Sequence, residues 1–129
     1  MLVQVGITNY KSIDERIVLS MLATKESRHP NVVRLVSDIQ LLPVALIVGP
    51  NGAGKSNLFQ ALQHVQDMIL NTKHVQHIPH HLNQGTDTNI DIQVMIQGKR
   101  YAYGISYNAE RIQGEYLTVF HDDTPMIIF

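Results

Sequence analysis

Residues 2–8, LVQVGIT, alternate apolar and polar side chains with the period of two that a half-buried strand requires. Turn-forming residues follow from Asn9 to Asp14, and ERIVLSML (15–22) resumes an apolar pattern. The two runs are expected to pair as an antiparallel hairpin with a loop longer than the tightest type. Residues 23–40 are polar and mixed, broken at His29-Pro30, and read as a loop with a short strand in NVVRLV (31–36). VALIV (44–48) is a continuous apolar run between Pro43 and Gly49, the pattern of a buried central strand. Leu58, Leu62, Val65, Ile69 and Leu70 then recur at helical spacing, predicting a helix from about Lys55 to Leu70. A polar connector, 71–89, leads into strand patterns at 90–97, 100–108 and 111–120. Gly98-Lys99 and Asn108–Glu110 separate them so tightly that an antiparallel meander is expected.

Composition narrows the class. With 129 residues, 44% hydrophobic and 16% charged, the chain has the balance of one globular domain. A net charge of −1 supplies no general field for nucleic acid or an anionic membrane. The absence of cysteine excludes a disulfide framework, a thiolate nucleophile and a zinc ribbon. The N-terminus lacks the charged and apolar regions of a signal peptide, and LLPVALIV, interrupted by proline, is far short of the ~18 apolar residues of a membrane helix. A cytoplasmic protein with no membrane partner is expected.

The chemistry lies in GPNGAGKSN (49–57). Gly49, Gly54, Lys55 and Ser56 satisfy G-x-x-x-x-G-K-[ST], the Walker A pattern. Glycines permit positive φ, so consecutive N–H groups can turn inward as an anion nest, and bare backbone at Gly52 and Gly54 lets phosphate oxygens approach. A helix starting at Lys55 adds its positive end. Lys55 can span the β- and γ-phosphates, and Ser56 offers its hydroxyl to Mg²⁺, which readily keeps waters as its other ligands. A nucleoside triphosphate, ATP or GTP, with Mg²⁺ is the expected ligand, held by Gly49, Pro50, Asn51, Gly52, Ala53, Gly54, Lys55, Ser56 and Asn57. A chance match in a chain this long is expected at roughly half a percent, and the flanking strand and helix patterns weigh further against one.

GPNGAGKSN resembles the ABC-type ATPases, in particular the SMC/RecF-like branch. ITNYKSI (7–13) is similar to that branch's first-strand motif, in which a basic residue and a serine approach the nucleotide. The resemblance therefore implies Lys11 and Ser12 as further nucleotide contacts. VLSMLATKESRHPN and GKRYAYGISYNAERIQGEYL resemble segments of the AAA-fifteen, overcoming-lysogenization-defect-like ATPases linked to abortive infection and phage defence. The implied fold is α/β: the N-terminal part of an ABC-type P-loop NTPase head, with hairpin, central strand, phosphate loop, helix and meander in an incomplete sheet. PMIIF reads as a strand pattern broken off at the terminus, so residues 1–129 are expected to be a single nucleotide-binding lobe ending before Walker B.

In the resembled family, a Walker B strand, a signature helix and a switch histidine complete hydrolysis. No catalytic residue of that kind is recognisable here. YLTVFHDD (116–123) ends in paired acids, but His121 precedes them and DDTP is turn chemistry, so a hairpin turn is the better reading. The resemblance implies a homodimer or a partner chain that supplies Walker B and signature motif, with a nuclease or DNA-handling effector attached. The alternative is a stand-alone, non-hydrolysing regulatory or interaction module that pairs with a partner chain. A complete small P-loop kinase would need further parallel strands.

Two other patterns carry less. Five of the seven histidines, His64, His74, His77, His80 and His81, fall close together; Pro79 rules out a shared helical face, and a polar surface loop is the expectation. Tyr101, Tyr103 and Tyr107 share a strand parity near Lys99, Arg100 and Arg111, and packing is the commoner use of such a face than base stacking.

Overall fold

The computed structural model describes residues 1–24, 33–36, 39–70, 76–121 and 123–129. The alternating run at the N-terminus forms β1 (Leu2–Thr8), and the second run forms β2 (Ile17–Ser20), paired antiparallel as Val5 with Leu19 and Ile7 with Ile17. The meander forms β5 (Thr88–Ile96), β6 (Lys99–Tyr107) and β7 (Ile112–His121), continued by an edge strand, β8 (Thr124–Ile127). β1 also pairs antiparallel with β5, giving one open sheet in the order β2-β1-β5-β6-β7-β8. The pairing of β1 with β5 brings the ends of a long intervening segment together, and that segment carries the glycine loop and the helix α1 (Lys55–Ile69).

Period-two alternation sorts the sheet into two faces. Val5, Ile7, Ile90, Ile105 and Tyr107 point to one side and close over Leu58, Ala61 and Val65 of α1. Val5, Ile7, Ala61 and Tyr107 are fully buried, and removing a side chain the size of Ile7 from water contributes roughly 1.5–3 kcal/mol. On the other face the cross-strand row runs Gly6, Asp91, Gly104, Tyr116. Arg16 lies over Gly6 and grips the Asp91 carboxylate with two N–H groups, at 2.5 and 3.0 Å. The Tyr116 ring lies on Gly104, where any Cβ would overlap it.

Turns follow local chemistry. Ile96 pairs with Lys99, so the two-residue turn is Gln97-Gly98, with φ of 50° and 79°, one position earlier than the sequence pattern placed it. At the next turn, the Asn108 side-chain oxygen accepts from the N–H groups of Glu110 and Arg111.

Two expectations are corrected. In and just past the stretch 23–40, expected as a loop with one strand in 31–36, two short strands pair antiparallel, β3 (Arg34–Val36) and β4 (Ile39–Leu41). This pair covers a second small cluster of Val3, Leu41 and Met95. Asn31 and Val32 of the expected strand lie outside the described residues. The expected central strand at 44–48 belongs to neither sheet. Val44, Leu46 and Val48 are 76%, 86% and 78% exposed, and only Ile47 packs against the core. A continuous apolar run suits this segment to the middle of a sheet, but a central strand needs a neighbour on each edge, and none among the described residues pairs with it.

Candidate nucleotide site

The glycine loop runs from Gly49 into the first turn of α1. Gly52 and Gly54 hold φ of 83° and 82°, in the left-handed region that glycine adopts at little cost. The two differ in surroundings. A Cβ on Gly52 would meet nothing within 4 Å, whereas one on Gly54 would come to 2.8 Å from Ser12 Oγ. Gly54 therefore answers both to its own backbone and to the β1–β2 turn.

Gly54 is also the N-cap of α1, with no side-chain cap among the described residues and no acidic residue in the first turn. The N–H groups of Lys55 and Ser56 at the helix start, with the positive end of the helix dipole, suit an anion. Lys55 folds back across the loop and donates to the carbonyls of Gly49 at 2.7 Å and Pro50 at 2.6 Å. An ammonium has three donors, which leaves one for a further acceptor. Ala53 N–H donates to Pro50 O at 3.3 Å and Asn57 N–H to Gly54 O at 2.9 Å, tightening the loop. Asn51 and Ser56 are exposed, and Ser56 is the second residue of the helix, next to Lys55.

The first-strand motif reaches the same place. Asn57 Nδ2 donates to Ser12 Oγ at 2.6 Å, and Lys11 Nζ donates to Gln60 Oε1. The tip of the β1–β2 turn thus sits against the first turns of α1, touching the loop at Gly54. Gln60 escaped the sequence reading; its only signal is its place one helical turn beyond Asn57.

Two of the clustered histidines, His64 and His77, are half-buried rather than solvated, while His81 is exposed. His64, on α1, lies tilted between Tyr10 and Tyr107 with ring centroids 5.8 and 5.7 Å away, and His77 meets Tyr107 edge-on at 5.8 Å. Rings with an apolar body and two polar atoms fill the gap between helix and sheet, which raw polarity does not reveal. His74 lies outside the described residues, and among the described residues no group of three His, Asp or Glu could hold a metal ion.

Of the tyrosines, Tyr107 is fully buried and Tyr103 packs against the core while donating to Glu115 Oε1 at 2.7 Å. Burial pushes the Tyr10, Tyr103 and Tyr107 hydroxyls above their ordinary pKa; Glu115 adds to the effect at Tyr103, and the Thr88 hydroxyl opposes it at Tyr107. Asp123 belongs to the tight turn between β7 and β8, with φ of 61° and an ion pair to Arg100 at 2.8 Å. Asp122 lies outside the described residues. A hollow of about 520 Å³ opens on the opposite sheet face beside Arg16, Asp91, Ser106 and Tyr116, and no phosphate-loop residue lines it.

A glycine loop feeding a helix that packs on a mostly antiparallel, open sheet is the layout of part of a P-loop NTPase domain. Residues 44–127, more than half of the chain, match the family described as "AAA domain, putative AbiEii toxin, Type IV TA system". The chain belongs to this AAA family of ATPase-like, nucleotide-binding domains. No curated protein matches it. No helix among the described residues is long and apolar enough to cross a membrane.

Proposed function

We propose that this chain binds ATP with Mg²⁺ through Gly49–Asn57, with Lys11 and Ser12 at its edge, as the Walker A half of an SMC/RecF-like ATPase close to the AAA-fifteen, overcoming-lysogenization-defect-like group. The observation that carries this reading is the start of α1: a helix N-terminus with no capping side chain among the described residues and no acid in its first turn, wrapped by two left-handed glycines and crossed by Lys55. Ser56 would hold the cation, with phosphate oxygens and waters completing its shell. Hydrolysis needs an oriented water and a donor to the transferring phosphoryl, and these would come from a second copy or a partner chain. A role in phage defence, with a nuclease or DNA-handling effector, goes with that reading. A second reading, a non-hydrolysing module that pairs with a partner chain, is favoured by the exposed Val44, Leu46 and Val48.

Titration of a fluorescent ATP analogue with and without Mg²⁺, beside Lys55→Ala, tests the proposal. Mg²⁺-dependent binding that Lys55→Ala weakens at least tenfold is expected, since a charge-assisted phosphate contact is worth about 1.5–3 kcal/mol. Equal binding by both proteins refutes the phosphate-loop site. Absent binding in the wild type would move the pairing module ahead.

A further inference from the structure

The residue that follows β1 is held more completely than any turn requires. Asn9 is 3% exposed, with φ of 53°. Its Nδ2 faces four acceptors, Asn83 O at 3.1 Å, Thr86 O at 2.9 Å, Thr86 Oγ1 at 2.8 Å and Asp87 O at 3.3 Å. Its Oδ1 accepts from His80 N–H at 2.9 Å, and its carbonyl accepts from Thr88 Oγ1 at 2.6 Å. These side-chain and carbonyl partners all come from residues 80–88, part of the stretch that reads in sequence as a polar connector, while the Asn9 N–H donates to Asp14 O at 3.1 Å within the turn. The same connector grips the rest of the turn: Asn83 Nδ2 donates to Asp14, and Ile78 O, just before residues 80–88, accepts from Lys11 N–H at 2.9 Å.

The chemistry of the socket selects asparagine. It offers acceptors to one end of the side chain and a donor to the other, at a residue whose backbone is left-handed, which asparagine tolerates better than most. A carboxylate would face four acceptors with no proton to give. Glycine would keep the backbone and abandon the socket. Beyond Asn9 the turn closes with reciprocal bonds between Tyr10 and Ile13, both 2.8 Å, so anchoring Asn9 fixes where the tip points. The tip is Lys11 and Ser12, which meet Gln60, Asn57 and Gly54.

We propose that Asn9 is a positioning residue for nucleotide binding: plugged into the 80–88 segment, it sets Lys11 and Ser12 against the phosphate loop. The proposal rests on the nucleotide-binding reading above. Asn9 touches no nucleotide in this scheme and acts only through the tip it places.

The test measures affinity for MgATP in the wild type, Asn9→Gly, Lys11→Ala/Ser12→Ala and the triple variant. Asn9→Gly is expected to weaken binding about tenfold, the worth of one charge-assisted contact. The same change should have no effect in the Lys11→Ala/Ser12→Ala background. Equal weakening in both backgrounds, or wild-type affinity in a folded Asn9→Gly, overturns the proposal. Val3→Ala, which loosens the separate cluster with Leu41 and Met95, should leave affinity unchanged; a loss like that of Asn9→Gly would reduce the effect to general stability and overturn it too. If Asn9→Gly does not fold, Asn9→Asp takes its place, keeping the acceptor and losing the donor. Hydrogen exchange gives a readout independent of nucleotide: Lys11 and Ile13 amides should lose protection while β5–β7 keep theirs, and unchanged protection refutes the latch. A wild type that binds no MgATP, with that exchange pattern present, would instead fail the nucleotide reading and leave the latch standing.

Discussion

Replacing Gly54 by alanine separates two demands that the phosphate loop makes on one residue. The first is conformational: at φ of 82° an L side chain costs about 1–2 kcal/mol. Gly52, at 83° with open space around it, faces only that cost, so Gly52→Ala measures it alone. The second is steric. A methyl group on Gly54 would stand 2.8 Å from Ser12 Oγ, which must rotate away and give up its 2.6 Å bond from Asn57. Both partners of that bond are near solvent, so its loss adds about 0.5–1.5 kcal/mol. Urea unfolding of both single variants, repeated on a Ser12→Ala background, reads the two terms. Gly54→Ala should exceed Gly52→Ala by the steric increment, and Ser12→Ala should erase the excess. Equal costs that Ser12→Ala leaves unchanged would mean that the β1–β2 turn does not rest on the phosphate loop, and the joining of the two motifs would fall with it.

Three further outcomes follow from the packing and the charges. Tyr107 has its pKa raised by burial, so above pH 10 the unfolded chain gives up a proton that the native state keeps, and stability falls as pH rises. Tyr107→Phe should remove up to about 1.4 kcal/mol per pH unit from that alkaline slope, read from thermal midpoints between pH 8 and 11; an unchanged slope would place the titration elsewhere. Asp123→Gly relieves a left-handed backbone and loses only an exposed ion pair, so its stability should change by less than about 1 kcal/mol and its nucleotide affinity not at all. A large loss of affinity would restore the Walker B reading of the paired acids. Leu58→Ala, emptying the contact of α1 with the sheet, should cost about 2–5 kcal/mol in urea unfolding, and a cost below 1 kcal/mol would deny that this face is the core.

What the sequence determined by itself is whatever repeats over a few residues. Alternation from Leu2 to Thr8 and through the meander specified strands, because the strand period is set by the backbone alone. Helical spacing after Lys55 specified α1 to within a residue, and the glycines announced a loop with left-handed backbone at Gly52 and Gly54. The turn at Asp123 was legible because short polar residues after an apolar run have few other uses. Tertiary structure decided the rest. Whether VALIV becomes a central strand depends on neighbours, and apolar composition cannot supply them. The histidines at 64 and 77 read as polar, yet their rings are half-buried against Tyr107, one tilted and one edge-on, once helix and sheet close over them. Asn9 read as one turn residue among several, because its socket lies more than 70 positions later along the chain. Only the pairing of β1 with β5 brings that socket within hydrogen-bonding distance, and no local pattern encodes a meeting of that kind.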